Sequence, residues 1–209
     1  MSPKSQPPPF PLPDKPLLLI LSGLSGAGKD AVLSQMKKSG LPLEFIVTVT
    51  TRPRRPAEKD NVDYHFVAPQ EFQRMMAHGE LLEWAAVYGN HYGVPRDAVK
   101  KALASGRDTV VKVDVQGAAT IKSILPEAIL IFLTPPSMEE DAQRLKQRHT
   151  ESPAQLELRL KTAQGELKKL SLFDYIVFNR EGEIGRAAAD IAAIITAEKC
   201  RVKPREVYL

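Results

Sequence analysis

One cysteine, Cys200, is all the chain contains. A lone thiol permits no intramolecular disulfide and no CxxC metal site, and it suits a reducing cytosol. Long apolar runs are absent as well: nothing approaches the ~20 residues of a membrane span. The N-terminus has no signal-peptide core, because prolines break up its only apolar residues. A cytoplasmic location with no membrane partner is the expectation. The four histidines, His65, His78, His91 and His149, show no metal-ligand spacing and read as surface or packing residues. No internal repeat is visible. Nor is one charge in large excess: 29 Lys and Arg against 25 Asp and Glu leave +4, with the signs interleaved. That balance gives no reason to expect a nucleic-acid partner, since a phosphate-handling pocket itself needs a local excess of arginine.

What the chain does have is enough length for one good core. Its 209 residues are 43% hydrophobic and 26% charged, ordinary for a soluble globular protein. Proline crowds the first stretch: Pro3, Pro7, Pro8, Pro9, Pro11, Pro13 and Pro16 make residues 1–16 a tail that forms neither helix nor ladder. Beyond it, apolar runs at 17–21, 44–49, 64–67, 81–87, 109–114, 128–133 and 175–178 read as strands. Helices are expected at 30–38, 69–78, 118–125, 138–148, 153–169 and 184–199, the last with Ile191, Ile194 and Ile195 on one face. This alternation predicts an α/β fold with a largely parallel sheet covered by helices. Short strands between Phe45 and Pro95 break the rhythm and suggest a small inserted subdomain.

The stretch Gly23-Leu24-Ser25-Gly26-Ala27-Gly28-Lys29-Asp30 fits a phosphate-binding loop until its last residue, where the pattern asks for Ser or Thr. It follows an apolar strand and opens a helix, as that motif requires. Glycines let successive N–H groups point at an anion, and the helix N-terminus adds its positive end. Lys29 would reach the outer phosphates of a nucleoside triphosphate. Asp30 is the anomaly. A carboxylate ~4 Å from a phosphate charge costs roughly 4 kcal/mol at an effective dielectric of 20. A bound Mg²⁺ reverses that sign, and carboxylate oxygen suits the ion. Asp30 is therefore either a Mg²⁺ ligand, direct or through water, or a carboxylate turned outward and favoured by the helix dipole.

A second anion site is suggested by Thr50-Thr51-Arg52-Pro53-Arg54-Arg55-Pro56, whose guanidinium groups match phosphate oxygens bidentately. Composition alone would favour a solvated basic loop. Its company decides otherwise: Tyr64, Glu83-Trp84, Gly89-Asn90-His91-Tyr92-Gly93, Asp114-Val115-Gln116-Gly117 and Pro135-Pro136-Ser137 follow in order. With the phosphate loop, this set resembles the guanylate kinase family from about Leu17 to Ala197.

The resemblance implies a P-loop kinase core with a mainly parallel five-stranded sheet flanked by helices, a small GMP-binding insert and a helical lid. Its boundaries would be core 17–44, 96–136 and 170–199, insert 45–95 and lid 137–169, inside a domain of 17–199, with 200–209 as a C-terminal tail. It implies transfer of the γ-phosphoryl of ATP to GMP, assisted by Mg²⁺. Residues Gly23 to Lys29 would hold the ATP phosphates, and Asn179 would lie near adenine. Arg52, Arg55, Tyr64 and Tyr92 would hold the GMP phosphate. Glu83 would accept from guanine N1–H and the 2-amino group, with Thr48 near the base. Lys29, Arg144, Arg148 and Arg159 would stabilise the transferring group. Asp114 would organise either Mg²⁺ waters or the GMP ribose. No general base is needed, so catalysis would be alignment plus charge stabilisation.

Three site positions depart from the family pattern: Asp30, Val94 where Ser or Thr is usual near guanine, and Lys112 where a carboxylate is usual. They lead to an expectation of weaker guanine discrimination, carried mostly by Glu83. Two other readings remain open: a P-loop kinase for another nucleotide or sugar phosphate, and a non-catalytic guanylate-kinase-like binding module.

Overall fold

The computed structural model describes residues 15–137, 139–140 and 161–209. The first apolar run forms β1 (Leu18–Gly23), whose six residues are all buried. A strand apolar on both faces belongs in the middle of a parallel sheet, and β1 lies there. The phosphate loop leads into α1 (Lys29–Lys38), which carries Asp30 in its first turn and Lys37 and Lys38 in its last. Those charges complement the helix dipole at both ends. Next come β2 (Leu43–Phe45), β3 (Val49–Thr50), β4 (His65–Phe66) and α2 (Pro69–Ala77), the helix opening on a proline. They are followed by β5 (Leu81–Val87), β6 (Asn90–Pro95), α3 (Arg96–Ala104), β7 (Asp108–Lys112), α4 (Val115–Ile124) and β8 (Ile129–Thr134). The chain closes with β9 (Tyr175–Phe178) and α5 (Ile184–Lys199).

Strands β2-β7-β1-β8-β9 form a five-stranded sheet in which every pairing is parallel. This is the α/β architecture expected from the alternation of apolar runs. One face packs on α1 and α5 through Leu19, Leu21, Val32, Met36 and Ile191. The other packs on α4 through Leu18, Ile20, Val111 and Ile121. A second, four-stranded sheet has the order β4-β3-β6-β5 and mixes parallel with antiparallel pairs. Its own small core is Val49, Phe72 and Leu81.

Three details differ from the expected elements. The run 44–49 is two strands, not one. The Ile46 N–H still bonds the Val110 carbonyl of the first sheet at 3.0 Å, whereas the Thr48 carbonyl already accepts from His65 of the second. Strand β6 and helix α3 add to the expected elements: Gly93 and Pro95 disguise the strand Asn90–Pro95, and α3 buries only Val99 and Ala102. The hairpin joining β5 to β6 turns at Tyr88 and Gly89, with φ of 48° and 77°, the left-handed pair that matches strand twist in a two-residue turn. The helices expected at 138–148 and 153–169 lie largely outside the described residues, of which 161–167 are helical.

Candidate active site

The carboxyl ends of β1 and β7 and the inner face of the second sheet enclose one cleft. Its phosphate-loop wall is built by close approach. At Gly23, φ is 138° and a Cβ would fall 1.9 Å from the Leu133 carbonyl oxygen, so only glycine lets the loop leave β1 beside β8. The Leu24 N–H then bonds that carbonyl at 3.2 Å. Leu24 and Ala27 turn their side chains into the core, while Ser25, Gly26, Gly28, Lys29 and Asp30 line the cleft. Asn179 is buried behind the loop and donates to the Ala27 carbonyl at 2.8 Å. The structure thus places it as a brace of the phosphate loop.

Lys29 curls over its own loop, donating to the carbonyls of Gly23 (2.8 Å) and Leu24 (3.0 Å). Desolvation lowers its pKa; Glu166, Asp30 and Asp114 oppose that shift and Lys112 adds to it. Glu166, from the segment after the undescribed residues, lines the cleft and accepts from the Ser25 N–H at 3.3 Å. Asp30 does not stand alone. Its carboxylate is ion-paired with the Lys112 ammonium, and that ammonium lies 4.1 Å above the Tyr64 ring. Burial lowers the Lys112 pKa, but Asp30 and Tyr64 together outweigh it and the net shift is upward.

The opposite wall gathers Thr48, Arg52, Arg55, Tyr64 and Tyr92. Glu58 organises this basic loop. It holds Arg52 by two bonds of 2.8 and 3.0 Å, accepts from the Arg55 N–H at 2.8 Å, and lies 4.0 Å from the Arg55 guanidinium. Burial raises the Glu58 pKa, yet Arg52 and Arg55 together outweigh it and hold the carboxyl below its ordinary range. Arg52 also lies 5.4 Å from the Tyr64 ring centroid, and Tyr64 meets Tyr92 edge-on at 6.0 Å.

At the floor sits Glu83, only 5% exposed, with Oε2 lacking any hydrogen-bond partner. Burial, and secondarily the Asp114 charge, pushes its pKa up to about 8. Two neighbours explain its isolation. Val94 is directly opposite on β6 and fully buried, offering methyl groups and no donor. Gly117 of α4 approaches so closely that a Cβ would meet the carboxylate at 2.7–2.9 Å. Asp114 caps that helix, accepting from the Gly117 N–H at 2.7 Å, and also lines the cleft.

The fold therefore brings together the expected loop, arginines, tyrosines, Thr48, Glu83 and Asp114. Arg144, Arg148 and Arg159 lie outside the described residues. Sequence reasoning missed Glu58, Glu166 and the pairing of Asp30 with Lys112. Glu58, three residues after Arg55 in a basic loop, was a readable signal; Glu166 had none.

The donor set can be weighed against Mg²⁺. No group of three or more His, Cys, Asp or Glu able to hold a metal occurs among the described residues. Asp30, the expected ligand, has an ammonium on its carboxylate, which disfavours direct contact with a second cation. The pair therefore bears on direct ligation by Asp30 and not on contact through water, since Mg²⁺ in phosphoryl-transfer sites keeps several waters and takes one or two carboxylates beside substrate phosphates. Among the described residues no helix is long and apolar enough to cross a membrane.

Comparison with known proteins agrees with this architecture. The family model for guanylate kinase matches residues 15–198. A guanylate kinase 2, chloroplastic/mitochondrial, of Oryza sativa subsp. japonica is 44% identical over 198 residues, covering 94% of this chain and 70% of the relative. A guanylate kinase of Desulfitobacterium hafniense is 42% identical over 193 residues, covering 92% and 95% of the two chains. Among solved structures, guanylate kinase from Anaplasma phagocytophilum superimposes with a TM-score of 0.74 at 32% identity, covering 90% of this chain and 88% of that one. On its phosphate loop, its two-sheet cleft and these matches, the chain belongs to the guanylate kinase family.

Proposed function

We propose that this cleft transfers the γ-phosphoryl group of ATP to GMP, giving ADP and GDP, as a cytoplasmic step of purine nucleotide metabolism. One observation carries the reading: a buried carboxyl, Glu83, whose Oε2 has no hydrogen-bond partner, at the floor of a cleft whose walls are a phosphate loop and an arginine cluster. Guanine presents two adjacent donors, N1–H and the 2-amino group, that a carboxylate accepts; adenine presents no such pair. A buried carboxylate left unpaired by the wrong base is a strong selector.

The residues divide the work by charge. Loop N–H groups and Lys29 receive the ATP phosphates. Arg52, oriented by Glu58, joins Arg55, Tyr64 and Tyr92 in holding the GMP phosphate. The acceptor oxygen is already ionised at neutral pH, so the chain's contribution is in-line positioning and stabilisation of charge on the transferring group. Mg²⁺ enters as the counter-ion of the ATP substrate. In this reading the chain divides into a core, a GMP-binding insert (45–95) and a lid (137–169).

A coupled ADP-release assay with GMP, IMP and AMP tests the reading, run beside Lys29→Ala. GMP-dependent turnover is expected, lowered roughly 10²–10⁴-fold in the variant. IMP lacks only the 2-amino donor, so it should trail GMP by roughly 10–150-fold, with AMP behind it. No GMP-dependent turnover in the parent protein would overturn the assignment, and a GMP-over-IMP ratio of many orders of magnitude would refute weakened discrimination.

A further inference from the structure

Two of the three departures from the family pattern are in contact with each other. Lys112 ends β7 in register with Leu21 of β1, and Asp30 stands in the first turn of α1, which follows β1 through the phosphate loop. The fold joins them in an ion pair at the mouth of the cleft, the Asp30 side chain 69% exposed and the Lys112 side chain 12% exposed. Each change alone is a liability. A carboxylate at the end of a phosphate loop repels the anion, and a lysine in place of a carboxylate cannot accept from guanine. Together they make something else. Asp30 steers the ammonium toward the loop, away from the base site at Glu83, and the Tyr64 ring supports it from the side of the acceptor-phosphate residues.

We propose that Lys112 is a phosphate-binding residue, held by Asp30, that supplies a fixed protein cation at the seam between the ATP loop and the GMP-phosphate site. This rests on the phosphoryl-transfer reading above. An ammonium has three donors, so a bond to Asp30 leaves capacity for phosphate oxygen. The cleft-facing position of Lys112 alongside Lys29 and Asp114 puts it in reach of the groups being exchanged. Asp30 acts as a positioning residue, through Lys112.

The test must separate phosphate binding from simple cancellation, because removing Lys112 alone unmasks the Asp30 charge. Calorimetric titrations of ATP and of GMP, each in EDTA, compare the parent protein with Lys112→Met, Lys112→Gln, Asp30→Ser and the double variant Asp30→Ser/Lys112→Met. EDTA removes Mg²⁺ as a rival source of positive charge. If Lys112 binds phosphate, the double variant stays weakened roughly 10–150-fold for at least one nucleotide. A loss confined to ATP assigns the ammonium to the donor phosphates, one confined to GMP assigns it to the acceptor, and a loss for both makes it a bridge. If the pair only cancels, the double variant binds both nucleotides within about twofold of the parent, and the proposal falls. Lys112→Gln keeps a polar side chain of similar reach, so a folding failure of Lys112→Met leaves the same comparison open in that background. Parent turnover with GMP is measured alongside. Its absence would refute the transfer reading, while the affinities still decide the role of Lys112.

Discussion

Glu83 is a carboxyl whose ionisation the fold opposes and whose task requires it. With a pKa near 8, it carries a proton in the free protein at neutral pH. A protonated carboxyl accepts poorly from two guanine donors, so GMP binding must expel that proton. Calorimetry of GMP binding at pH 7, in buffers of different ionisation enthalpy, should show close to one proton released, falling toward none above about pH 9. Affinity should rise with pH between about 6 and 8. The same shift acts on stability. The unfolded chain titrates near 4.5 and the folded one near 8, so the folded state holds the extra proton between those values and stability declines as pH rises through that window. Glu83→Gln should abolish both dependences; proton release surviving in that variant would place the titrating group elsewhere. The identity of Glu83 was legible in the sequence, through its place before Trp84 and the motifs around it. Its protonation was not, because that depends on Val94 and Gly117, which reach it from two other elements.

Packing of α4 against β5 sets the space around that carboxyl, and Gly117 is the α4 residue that faces it. Alanine in a helix is worth about 1 kcal/mol over glycine, which by itself would stabilise α4. Here the new Cβ would lie 2.7 Å from Glu83 Oε2, the far end of a side chain that can move. The carboxylate should yield rather than the helix. Gly117→Ala should therefore leave thermal stability within a few degrees of the parent, weaken GMP about tenfold or more, and leave ATP affinity unchanged. Equal loss for both nucleotides would mean the helix itself had shifted. At this scale the regular elements were readable wherever apolar residues run together: β1, β5, β9 and α5 fall where the sequence puts them. Two of the differences share a cause: residues 44–49 change sheets midway and β6 mixes glycine and proline into a paired strand, so that long-range pairing overrides a weak local signal. Helix α3 is of another kind, because its run of Ala98, Val99, Ala102, Leu103 and Ala104 among lysines is a readable helix signal.

Over the whole molecule, the least expected contact is made by the C-terminal segment. The family resemblance implies that residues 200–209 are a tail outside the domain, and the family match ends at residue 198. The structure packs Val207 and Leu209 against the core on the α4 side. Arg205 reaches back to Glu198, whose side chain is fully buried, at 2.9 and 3.0 Å, and to Asp174 at 3.4 Å. Asp174 in turn accepts from the Leu130 N–H and from Lys122, and Tyr175 donates to Glu198 at 2.7 Å. One guanidinium thus ties the end of the chain to α5, β8, β9 and α4. Burial raises the Glu198 pKa, but Arg205 and Tyr175 outweigh it and the net shift is downward. Removing one partner of a buried pair costs about 3–5 kcal/mol. Tyr175 and Arg201, the latter 3.6 Å away, remain to compensate Glu198. Arg205→Ala should accordingly lower unfolding free energy by about 2–3 kcal/mol, read from urea denaturation with an unchanged slope, while GMP turnover at 25 °C holds. The difference between parent and variant should be full near neutral pH and shrink as acid protonates Glu198 and Asp174, since depressed carboxyl pKa values stabilise only above their unfolded range. A difference that held constant into acid would mean that Arg205 acts through its packing and not through the two carboxylates it spans.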